Sequence, residues 1–123
     1  MEPYGYELLL DLHHCVSSTF SRKSLRGFFK ELCTQLGMKQ EKLCWWDDLG
    51  VPLEEQETEP HLKGTSAVQF IKTSNVTVHT LDLLGNVYLN IFSCKNFDPE
   101  GVPALSELWF GGEVVARHWI VRL

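Results

Sequence analysis

Gly64-Thr-Ser-Ala-Val-Gln-Phe-Ile-Lys-Thr-Ser-Asn-Val-Thr-Val-His-Thr80 is the stretch on which the fold turns. Its β-branched and apolar residues alternate with polar ones, the period of a strand with one covered face. Strands are expected over 66–72 and 76–81. In the second, Val76 and Val78 take one side and Thr77 and His79 the other, so His79 is not forced into a core. A third strand is expected over 87–94, after Gly85-Asn86, a dipeptide suited to a tight hairpin turn.

Toward the N-terminus, Tyr6, Leu8, Leu10 and Leu12 share one face of a strand over 5–12. From Ser21 the period changes: Leu25, Phe28, Phe29, Leu32, Cys33 and Leu36 recur at helical spacing, with Ser21 a suitable N-cap and Gly37 a suitable left-handed stop. A short strand over 42–46 leads into an acidic, proline-bearing loop over 47–60. Toward the C-terminus, a helix over 99–110 has Pro103 near its start, Leu105, Leu108 and Trp109 on its apolar side, and Gly111-Gly112 after it. A last strand covers 113–122. The order β-α-β-β-β-β-α-β predicts an α+β two-layer sandwich, a mostly antiparallel sheet with two helices on one face. Its other face is left to solvent or to a partner subunit.

At 123 residues the chain is long enough for one core and too short for two, so a single domain over 1–123 is expected. No apolar run approaches the roughly 18 residues of a membrane span, and the first residues lack the basic and apolar stretches of a secretory signal. The expectation is a cytoplasmic chain with no membrane partner. Asn75-Val-Thr77 matches a glycosylation acceptor, a chance match in that setting. A net charge of -5 without a Lys/Arg cluster argues against nucleic acid, whose binding draws on neutralised phosphates. Cys15, Cys33, Cys44 and Cys94 form no CxxC pair and are read as reduced, with packing the ordinary role of each. His13-His14-Cys15 does not make a metal site, because adjacent strand residues face opposite ways, and no glycine pattern fits a phosphate-binding loop.

Ser66 lies eight residues before Ser74, His79 five after it and Cys94, at the end of Asn90-Ile-Phe-Ser-Cys94, twenty after it. These residues and offsets resemble the prokaryotic S-adenosylmethionine decarboxylases. Their pattern is a Gly-x-Ser strand start, a Glu-Ser-His cleavage site, an Ile-His-Thr strand and a Phe-Thr-Cys strand end. The N-terminal Tyr4-Gly-x-x-Leu-Leu-x-Asp-Leu-x-x-Cys15 is similar to the family's first strand, so the resemblance covers nearly the whole chain.

The resemblance implies a proenzyme that cleaves itself between Thr73 and Ser74. The Ser74 hydroxyl attacks the carbonyl of Thr73, turning the peptide bond into an ester. His79 then serves as the base for the Cα proton of residue 74, with Ser66 assisting. Elimination and hydrolysis leave a pyruvoyl group derived from Ser74, with no metal or external cofactor. That ketone forms a Schiff base with a substrate α-amine and takes up electrons as carbon dioxide leaves. The resemblance gives Cys94 as proton donor to the substrate carbon. The implied protein is a homodimer acting on a small amino-acid substrate, S-adenosylmethionine by default, in polyamine biosynthesis.

The chain departs from the pattern at Thr73, usually Glu, and at Asn75, usually His. It also has Pro60 where the family stacks adenine on an aromatic, and Leu81-Asp82-Leu83 where a Trp-Pro-Glu run holds the ribose. Asp82 is a weak candidate for the missing handle. Arginine or ornithine is the rival substrate, met by Asp82 or by the acidic loop with Asp47, Asp48, Glu54 and Glu55. The rival class is an uncleaved, non-catalytic member that binds or regulates an active subunit.

Overall fold

A computed structural model describes residues 1–123. The elements follow the expected order: β1 (Gly5–His13), α1 (Arg22–Leu36), β2 (Gln40–Trp46), β3 (Gly64–Ile71), β4 (Ser74–Leu81), β5 (Asn86–Ser93), α2 (Gly101–Phe110) and β6 (Glu113–Arg122). One six-stranded sheet holds all strands in the order β2-β3-β4-β5-β1-β6, antiparallel at every pairing. The chain is thus an α+β sandwich.

Strand alternation decides which face is covered. Leu8, Leu10 and Leu12 of β1, Val76 and Val78 of β4, and Val87, Leu89 and Ile91 of β5 are buried with the apolar stripe of α1 and with Val102 and Phe110 of α2. The Phe28 and Phe110 rings lie 4.8 Å apart, and the Trp109 indole N–H donates to Ser24 Oγ at 3.1 Å, which ties the helices together. Ser21 caps α1 by accepting the Ser24 N–H, and Gly37 ends it with a φ of 67°. No helix is long and apolar enough to cross a membrane.

Leu108, expected on the apolar side of α2, is exposed, and that helix buries Val102, Ser106 and Phe110 instead. Four further differences concern loops and strand ends. The β3–β4 loop is only Lys72-Thr73, since Ile71 pairs with Ser74, so β4 starts two residues early and Ser74 is a strand residue. The β4–β5 connection is a four-residue loop over 82–85, closed by the Gly85 N–H donating to Leu81 O, instead of a two-residue turn. Buried Gln69 supports a bulge in β2 by donating to the carbonyls of Glu41 and Lys42, which carries β2 back to Gln40. Short 3-10 turns at Ser17–Phe20 and Leu53–Glu55 are additional. Among the cysteines only Cys33 is fully buried.

Candidate active site

The β3–β4 hairpin carries polar groups at both of its ends. At its tip, Ser74 is the first residue of β4, with its side chain on the helix-covered face and nearly buried. Its Oγ accepts the N–H of Cys94 at 3.0 Å, because β5 ends at Ser93 and brings Cys94 alongside the start of β4. The Thr73 hydroxyl lies 2.7 Å from Lys72 O and 3.2 Å from Cys94 Sγ, and its single proton serves one acceptor at a time. The Thr73 and Ser74 hydroxyls hold the Cys94 thiol below the ordinary cysteine range. Burial instead pushes Cys15 and Cys33 up to about 11. A cavity of about 670 Å³ opens onto Ser74 and Cys94, bordered by Lys39, Glu41, Lys72 and Lys95.

At the other end, Ser66 and His79 are cross-strand partners on the uncovered face, with Ser66 Oγ 2.7 Å from His79 Nδ1. Gly64 opens this strand with no side chain because a Cβ there would collide with the carbonyl oxygen of Thr80. The next residues along the same row are Tyr88 of β5, paired with His79, and Trp46 of β2, paired with Ser66. Trp46 is 80% exposed, and with Asp48, Glu57, His61, Ser66 and His79 it lines a cavity of about 390 Å³. Neither Tyr88 nor Trp46 stood out in the sequence. The register that a two-residue loop at 72–73 imposes would have pointed to their row.

The structure brings Thr73, Ser74 and Cys94 together, and separately Ser66 and His79. It does not bring the two groups together within one chain. Five strand residues at about 3.3 Å each put the His79 backbone roughly 16 Å from that of Ser74, and their side chains leave opposite faces. Asp82 lies farther still, just past the end of β4.

Within the acidic loop, Asp47 and Asp48 are engaged with the chain's own cations, while Glu54 and Glu55 are exposed. Arg22 forks onto Asp47, with Nε–Oδ2 at 2.7 Å and the second bond at 2.8 Å, while Lys63 meets Asp48 at 3.1 Å. The Arg22 guanidinium holds Asp47 below the usual carboxylate range. Asp82 is shifted upward, chiefly by burial, with Lys63 opposing and Asp48 adding to the rise. No group of three or more His, Cys, Asp or Glu side chains is placed to hold a metal ion.

The fold has a counterpart among solved structures. A search of curated proteins gives no match. The crystal structure of the adenosylmethionine decarboxylase from Aquifex aeolicus VF5 superposes with a TM-score of 0.74 over 99% of this chain and 92% of that one, at 13% identity, which speaks to the fold alone. The family model for S-adenosylmethionine decarboxylase matches residues 6–122, from β1 to the end of β6. On that match the chain belongs to the S-adenosylmethionine decarboxylase family.

Proposed function

We propose that this chain is a self-processing, pyruvoyl-dependent amino-acid decarboxylase, cleaved between Thr73 and Ser74 and acting on S-adenosylmethionine in polyamine biosynthesis. The observation that carries the reading is the hairpin tip, where a nearly buried Ser74 and Cys94 border one cavity together with Thr73. The tip leaves room for a ketone at residue 74, since the cavity beside it would take an amine-bearing substrate. Such a group would supply the electron sink for loss of carbon dioxide. Cys94 Sγ, beside that cavity, holds the proton that returns to the substrate carbon.

Processing starts with the Ser74 Oγ adding to the Thr73 carbonyl carbon. His79 is the base for the Cα proton of residue 74, and one chain cannot deliver it across the hairpin. We therefore assign the homodimer an active part in the chemistry. A second copy, laid antiparallel on the uncovered sheet face, brings its Ser66–His79 pair over the backbone of the first copy's hairpin tip, on the side opposite the Ser74 hydroxyl. Two features favour that pairing. The uncovered face carries exposed apolar side chains, including Phe70 and Ile120, and lysines 39, 72 and 95 at the hairpin tip complement the acidic loop at the opposite end.

Cleavage need not release the fragments. Residues 1–73 supply β1, β2 and β3, residues 74–123 supply β4, β5 and β6, and the sheet order interleaves them at three strand pairings. Denaturing mass analysis of purified chain is therefore the test. Two fragments meeting at 73/74, with Ser74→Ala remaining whole, is the expected result; a 14.1 kDa species that persists on incubation contradicts the reading.

A further inference from the structure

Thr73 has a φ of 53°, in the left-handed region, and is the second residue of a two-residue loop. Glycine and asparagine accept that conformation, whereas a β-branched side chain crowds its own backbone there. His14 is the other non-glycine residue with positive φ, and histidine tolerates the region better than threonine. The strain is held from outside. Eight β3–β4 residue pairs, from Gly64 with Leu81 to Ile71 with Ser74, fix both ends of the loop, and the Thr73 hydroxyl reaches Lys72 O and Cys94 Sγ. It therefore sits on the residue whose carbonyl carbon Ser74 must attack.

We propose that Thr73 is a positioning residue, and that its strained backbone drives the acyl shift at the Thr73–Ser74 bond. This deepens the self-cleavage reading above and rests on it. In the shift, a bond forms between Ser74 Oγ and the Thr73 carbonyl carbon, the C–N bond breaks, and the hydroxyl proton ends on the freed amine of residue 74. The new path from Cα of Thr73 to Cα of Ser74 runs through Oγ and Cβ, one atom longer than through the amide. The longer loop lets Thr73 leave the left-handed region. Strain thus raises the amide relative to the ester, offsetting part of an exchange that is uphill in a relaxed chain.

Three substitutions separate strain from hydrogen bonding. Thr73→Asn and Thr73→Gly accept positive φ, while Thr73→Val keeps the β-branch and lacks the hydroxyl. By denaturing mass analysis, the Asn and Gly variants should cleave about tenfold more slowly than the native chain, equivalent to about 1.4 kcal/mol of barrier. The Val variant should stay within about twofold. In a Ser74→Ala background, where cleavage cannot interfere, Thr73→Asn should melt a few degrees higher and Thr73→Val should not. A native chain that cleaves alongside a Thr73→Asn variant of equal rate, or one with no gain in melting temperature, overturns this inference alone. A native chain that stays intact even with hydroxylamine present to trap the ester overturns the self-cleavage reading, and this inference with it.

Discussion

The two ends of the β3–β4 hairpin are built from the same pair of strands yet differ in almost every physical respect. The tip is tight, with an exposed, left-handed Thr73, a nearly buried Ser74 and a thiol held below its ordinary range. The far end is open: its Ser66–His79 pair faces outward beside an exposed Trp46, and its loop carboxylates Asp47 and Asp48 are paired with Arg22 and Lys63. On the function proposed above, the tip would hold the bond to be cleaved and the proton donor, whereas the far end holds the imidazole. A strand is a rigid ruler, so their separation of roughly 16 Å does not close by side-chain motion. The proposed processing, which uses both ends, would therefore draw them from two copies.

The sharpest way to break this comparison is to disable each end separately. Ser74→Ala should abolish cleavage, and His79→Ala should slow it by at least about 10²-fold, the usual worth of a positioned base. Cys94→Ala should spare cleavage and lose about 10²-fold or more in turnover, read as carbon dioxide released from S-adenosylmethionine. If His79→Ala cleaves at the native rate, the far end has no part in processing.

A smaller effect sharpens the electrostatic contrast. Asp47→Ala strands the Arg22 fork and should lower the midpoint of denaturant unfolding. Because the folded-state pKa of Asp47 lies below its unfolded value, this stabilisation is present above about pH 4 and is lost as the pH falls further. The Asp47→Ala variant and the native chain should therefore converge in stability in acid.

At the tip, Cys94 should be the first cysteine alkylated by iodoacetamide near pH 7, while Cys15 and Cys33, raised to about 11, stay inert in the folded chain. Thr73→Val should shift the pH profile of that reaction upward, detectable by mass spectrometry. Remote from both ends, the Ser106 hydroxyl in α2 is fully buried without a partner. Ser106→Ala should gain about 1 kcal/mol in the same unfolding experiment and leave cleavage unchanged.

Much of this layout was legible in the residues, because burial periodicity is a property of local sequence. The stripe from Leu25 to Leu36 and the alternation at Val76 and Val78 are the residues that the helices and sheet bury against each other. The placement of His79 on the uncovered face followed from the same parity. Loop register was harder to see. Ser74-Asn75 resembles a turn, yet the turn is Lys72-Thr73, since strand pairing extends until only two residues remain to bridge it. Distance along the strand was also lost: Ser74 and His79 are close in sequence, and only the extended rise shows that five residues separate them too far for contact. The positive φ of Thr73 had no local signal, because threonine is not a residue that seeks that region.

Mixing two inactive variants, His79→Ala and Ser74→Ala, and following cleavage by denaturing mass analysis asks directly whether the two ends of the hairpin cooperate between copies. Neither variant should cleave alone. After unfolding and refolding together, mixed dimers should pair the intact Ser74 of one chain with the intact His79 of the other, so that a fraction of the His79→Ala chain splits at 73/74. A mixture that remains whole, under conditions where the native chain cleaves, would contradict the shared site.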